Sequence, residues 1–177
     1  MEKEEAFIIN KNTGLFLDGN YVLFNDSSLM YSIPAYGSFQ LLLGDGYHMS
    51  LGINGETGEC LTFYTLLDAI TLEPSPFELL NVSNIPRASL FFYSDSLKRQ
   101  EGDHYTPFVE KKYYDEKNRI LAFGDINSKG DLIEFSNNTY ALIDDCRLAA
   151  VYIRVSINVI DAIKKKTKKK VFRFWHK

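Results

Sequence analysis

The sequence predicts a mainly antiparallel β domain, a β-rich α+β fold arranged as a sandwich or a half-open barrel, with one helix near the C-terminus. Three observations predict it. Thirteen Phe and eleven Tyr in 177 residues favour strands, where aromatic and β-branched side chains pack well on a pleated surface. Short apolar runs recur at roughly ten-residue intervals between turns rich in Gly, Asp and Asn, the pattern of a hairpin-built sheet. Ile157, Ile160 and Ile163 keep a three-residue spacing ahead of a run of lysines, which predicts the helix.

The elements follow in order. In LFLDGNYVLF, Asp18-Gly19 between two apolar runs predicts a hairpin. Tyr36 to Leu43 leads through Gly44-Asp45-Gly46 into Tyr47 to Ile53, and NGETGE turns the chain again into Cys60 to Leu66. Pro74, Pro76 and Pro86 bar any long element in 68–87, leaving room for a turn or two of helix. Ala88 to Tyr93 reads as a strand, and the polar run 94–106 as a mobile surface loop. Phe108 to Tyr114, Arg119 to Phe123, Leu132 to Phe135, Thr139 to Ile143 and Leu148 to Val155 predict a five-stranded meander. The last of these is apolar nearly throughout, as a central strand buried on both faces would be. Asn158 or Ser156 would cap the helix, and VFRFWHK alternates like a strand or a docked tail. The segments YHMSLGINGETGECLTFYT and NTYALIDDCRLAAVYIR echo each other as strand, acidic turn, Cys near Leu, strand.

Charge divides the chain into an acidic β-rich domain, 1–163, and a basic, aromatic-ended tail, 164–177. The tail holds eight Lys and Arg and no acid, which leaves twelve basic against twenty-three acidic residues in the domain. Such a surplus governs solubility and choice of partner and says nothing of fold. The tail is expected to dock on the domain's own acidic face, because Phe172, Phe174 and Trp175 would otherwise stay exposed. The acidic domain would repel nucleic acid and anionic lipid, so neither direct nucleic-acid binding nor membrane binding is expected. MEKEEAFIIN lacks a signal peptide's apolar run, and a cytoplasmic location is expected.

Chemistry-bearing motifs are sparse. DINSKGDLIEFS places Asp125, Asn127, Gly130 and Leu132 at calcium-loop spacing. Lys129 and Ser136 stand where ligands belong, so the run is expected to be a Gly-containing hairpin loop and no metal is expected. His48, His104 and His176 are far apart; His104 has Glu101, Asp103 and Glu110 nearby in sequence, which would allow a polarised imidazole. Cys60 and Cys146 sit beside Glu59, Asp144 and Asp145, surroundings that suit buried, inert thiols. No cofactor loop or catalytic constellation is present in the sequence, and an enzyme is not expected.

Two acidic turns with aromatic neighbours furnish a candidate partner-binding set: Asp144 and Asp145 beside Tyr140, and Asp115 and Glu116 after Tyr114. Aromatic side chains anchor an interface while carboxylates meet Lys or Arg opposite. The runs LGINGETGECLTF, YYDEKNRILAFGD and IEFSNNTYALIDDCRLAAVYI resemble stretches of small bacterial immunity proteins, the antidotes of polymorphic and contact-dependent toxins. The resemblance covers roughly half the chain and implies a non-enzymatic inhibitor of a cognate basic toxin domain. Two other readings stand beside it. One is a small ligand-binding β-barrel or enzyme using the His104 region; the other is a structural or phage accessory protein with an assembly tail.

Overall fold

Among the described residues of a computed structural model of the chain, the regular structure is fourteen strands, a short 3-10 turn at Val82–Asn84 and one long helix. The structure describes residues 5–12, 15–24, 28–33, 38–44, 48–67, 72–75, 80–94, 104–109 and 111–174, and the side chains of 38 and 167–174 lie outside that description. The first nine strands are β1 (Ala6–Asn10), β2 (Tyr21–Phe24), β3 (Ser28–Tyr31), β4 (Ser38–Leu43), β5 (Met49–Asn54), β6 (Glu59–Leu66), β7 (Glu73–Pro74), β8 (Ser89–Tyr93) and β9 (His104–Thr106). Then come β10 (Lys112–Asp115), β11 (Ile120–Gly124), β12 (Asp131–Ser136), β13 (Thr139–Asp144), β14 (Arg147–Arg154) and the helix α1 (Ile157–Phe174). The predicted β-rich class with a single C-terminal helix holds.

The larger sheet runs β1-β8-β6-β5-β4-β9. It forks at β6. One side of β6 pairs with β5, while the other takes β8 at its start, Glu59 opposite Phe91, and β3 at its end, Leu66 opposite Ser28. The sheet curls into a half-barrel, so that its two ends approach. The approach has an electrostatic trace: burial raises the pKa of Glu5, just before β1, and His104 in β9 opposes the shift.

The smaller sheet runs β12-β13-β14-β11-β10-β7. The predicted meander is only partly right. β11 lies beside β14, not β12, so β11 to β14 form a Greek key. The 125–130 segment is therefore a crossover, not a hairpin loop. Gly124 makes this exit possible: its φ is +107°, and an added Cβ would lie 2.8 Å from the Ala150 Cα. Asp125 then donates its N–H to the Ala149 carbonyl, which carries the chain across the end of β14.

One apolar core joins both sheets and the helix. Leu41, Leu51, Phe63 and Leu90 from the larger sheet share it with Phe123, Val151 and Ile153 from the smaller, and with Val159, Ile160 and Ile163 of α1. Phe63 meets Phe123 with ring centroids 5.1 Å apart. Polar links across the layers are buried as well: the Tyr21 and Thr139 hydroxyls lie 2.8 Å apart, and the Ser136 hydroxyl donates to the Leu61 carbonyl. A second cluster, with Leu80, Ile120, Tyr140 and Tyr152, covers the other face of the smaller sheet. That second cover is why β14 reads apolar nearly throughout.

Three local expectations are corrected. Asp18-Gly19 makes no hairpin, because β2 pairs with β3. The Tyr31 hydroxyl accepts from the Gly19 N–H at 2.9 Å and donates to the Leu17 carbonyl at 2.8 Å, so a side chain stands where a partner strand was expected. His104 is not in a loop: it opens β9, which pairs in parallel with β4, while 95–103 lie outside the described residues. Finally, α1 starts after Ser156, whose carbonyl accepts from Val159, and its backbone stays helical through Phe174. The VFRF segment is thus neither strand nor extended tail, while Trp175 and His176 fall outside the described residues.

The internal echo has a counterpart. Hairpins β5–β6 and β13–β14 each carry a bulge in the second strand, at Leu61 and at Ala149. Superposing these bulges matches Cys60 with Leu148, so the two cysteines are not equivalent positions.

Candidate functional site

The antiparallel order of the smaller sheet decides how the candidate residues are distributed. β13 and β14 meet at the Asp144–Arg147 turn, while β10 and β11 meet at the Asp115–Ile120 turn. Because β14 runs antiparallel to β11, with Arg154 opposite Ile120, these turns lie at opposite ends of the sheet. Eight residues of β14 separate them, about 25 Å at ~3.3 Å per residue. The two acidic turns therefore do not form one compact surface.

They also differ in what their carboxylates do. Asp115 is buried and accepts from the Asn118 backbone and side-chain amides at 3.1 and 2.8 Å, which closes its own turn. Glu116 is ion-paired at 2.6 Å with Lys164, near the helix's third turn. Tyr114 and Tyr140 are buried at 9% and 4% exposure, so their rings are part of the packing. Burial raises the Tyr140 phenol, with Glu134 adding and Arg154 and Arg87 opposing.

Asp144 and Asp145 are arranged differently. Asp144 is half-buried, Asp145 is exposed, and neither carboxylate bonds a described residue. Their backbone is fixed. Asp145 and Cys146 have φ of +49° and +60°, the two left-handed positions of a tight hairpin turn, and the Cys146 carbonyl accepts from Phe7 of β1 at 2.7 Å. Asp131, opposite Ile143, and Asp125, bonded to Ala149, occupy the same end of the sheet. Lys129 and Arg147 share it. Asp125 also accepts from the Asn127 N–H at 3.2 Å and the Ser128 hydroxyl at 3.4 Å, so its carboxylate serves the crossover's own turn.

Cys146 is exposed, against the expectation of two buried thiols, because its left-handed turn position carries it to the surface. Cys60 is buried, and burial followed by the neighbouring Glu59 pushes its thiol well above the ordinary range. His104 lies 5.2 Å, centroid to centroid, from the Phe39 ring. Among the described residues, no group of three or more His, Cys, Asp or Glu is placed to hold a metal ion. No described helix is long and apolar enough to cross a membrane.

The opposite end of the sheet holds a feature the sequence did not single out. A cleft of about 250 Å³ opens between Asn20, Tyr21, Arg119, Asn138, Arg154 and the Val155–Ser156 pair that precedes α1. Four chain segments, the last more than 130 residues from the first, supply these groups, so no local spacing betrays them. Neither a family model nor a curated protein matches the chain.

Proposed function

We propose that this chain is a non-enzymatic binding protein, an immunity-type inhibitor that engages a basic protein through its acidic surface. The Asp144–Asp145 turn would lead that contact. One observation carries the reading: of the two acidic turns, this one presents carboxylates without a described partner on a backbone already fixed at both ends. A preorganised charged loop loses little entropy on binding. The excess of eleven negative charges over 1–163 would steer a cationic partner towards it and raise the rate of encounter. Asp115 and Glu116, engaged with Asn118 and Lys164, have less to offer.

The test is an affinity capture from the native host with the tagged chain at low and high salt, followed by co-expression with the captured protein. The expected result is one stoichiometric basic protein, released by salt, whose toxicity the chain neutralises. Reversing Asp144 and Asp145 to Lys together should abolish both capture and neutralisation, whereas Glu116→Lys, at the other end of the sheet, should not. Capture that ignores the Asp144/Asp145 reversal, or no stoichiometric partner, would overturn the reading.

A further inference from the structure

The cleft at the Arg119–Arg154 end brings two basic residues together in an acidic domain. Arg119 and Arg154 are both among its lining residues, and neither is paired with a described carboxylate, although acids outnumber bases nearly two to one in 1–163. The acids at this end are engaged elsewhere: Glu134 accepts from Arg87 at 3.1 Å and from the Asn138 N–H at 3.0 Å, Asp115 accepts from Asn118, and Glu116 pairs with Lys164. The rim is polar and fixed. The Asn138 side-chain amide donates to the Asn20 side-chain oxygen at 2.9 Å, and the Arg119 carbonyl accepts from the Val155 N–H. Ser156, just before α1, completes the lining.

Arg119 also occupies an unusual backbone position, φ +57°. A long side chain there is less favourable than Gly or Asn, so its presence is not explained by the needs of the turn.

We propose that this cleft binds a phosphoryl group, with Arg119 and Arg154 as its two cationic arms. One guanidinium satisfies a carboxylate by a bidentate contact, whereas the three terminal oxygens of a phosphate can accept from two. The volume is that of about eight waters at ~30 Å³ each, which leaves room beside the phosphate for the ester of a small metabolite. The site is independent of the Asp144–Asp145 turn, which lies at the other end of the sheet.

Calorimetric titration of the full chain with inorganic phosphate, ribose 5-phosphate and acetate tests it. Both phosphates should bind and acetate should not. Tighter binding of ribose 5-phosphate would assign the site to a phosphate ester, and equal binding to the free ion. Arg119→Gly, which suits the left-handed backbone, and Arg154→Gln should each weaken phosphate binding at least tenfold while circular dichroism stays unchanged. Lys165→Gln, in the basic segment outside the cleft, should bind as the parent does. Absence of phosphate binding at millimolar concentration overturns the proposal. So does binding that survives both arginine substitutions, since the tail lysines would then be its source.

Discussion

At the scale of single residues, the two cysteines show how far local sequence reaches. Both stand beside acids and before apolar runs, which makes them look alike. Register separates them: Cys60 lies inside β6 opposite Ile53, and Cys146 occupies the second left-handed position of a two-residue turn. A thiol reagent applied to the native protein should modify Cys146 and spare Cys60, which should react only in denaturant. Intact-mass analysis after alkylation reads this directly, and modification of Cys60 in the native state would contradict the packing described. Acidic residues were equally legible as residues and equally opaque as sites. Asp115 and Glu116 look as free as Asp144 and Asp145 until Asn118 and the distant Lys164 are seen to engage them. Arg119, Arg154, Asn20 and Asn138 carry no shared signal, because only the fold makes them neighbours.

At the scale of elements, what could be read was what is encoded locally. Alternation, turn residues and the apolar run at Leu148 to Val155 located most of the strands. The strands that escaped, such as β9 with three residues and β7 with two, exist because a neighbour lends them a parallel partner. The Greek-key crossover escaped for a related reason, since turn chemistry between β11 and β12 does not say which strand lies alongside. The helix start was legible from Ser156 and the isoleucine spacing, but its length was not, because a run of lysines reads as solvated tail or helix alike. Its first turns pack through Val159, Ile160 and Ile163. Ile160 is fully buried in the common core, whereas Ile157 is 47% exposed on the same turn. Ile160→Ala should destabilise the protein by about 3 kcal/mol through lost burial and the cavity left behind. Ile157→Ala should change stability by less than about 0.5 kcal/mol. Urea denaturation of both variants checks the pair. Equal effects would mean that the helix is not seated by the face described.

At the scale of the whole molecule, the half-barrel and the smaller sheet are held together by tyrosines as well as by aliphatic packing. Tyr21 in β2 bonds Thr139 in β13, and Tyr31 in β3 donates to the Leu17 and Asn137 carbonyls, so the phenols bridge layers that are far apart in sequence. The same burial makes them sensitive to alkali. Desolvation pushes Tyr31 and Tyr152 up to about 12 and Tyr21 higher still, from an ordinary value near 10. A raised phenol stays protonated in the folded chain at a pH where the unfolded chain has already released its proton. The unfolded state then binds fewer protons, and stability falls as pH rises. These groups therefore cost no stability below about pH 10, and their destabilising effect grows through the window from about 10 to 12. The acidic domain, repelling itself more strongly as lysines lose charge, pushes in the same direction. Because both sheets share one core, the loss should be cooperative. A rise in phenolate absorbance and the loss of the far-ultraviolet circular dichroism signal should coincide in a single step above pH 10. If every phenol titrated near pH 10 while the β signal persisted, the tyrosine bridges between the layers would not be the closed, dry contacts that this packing requires.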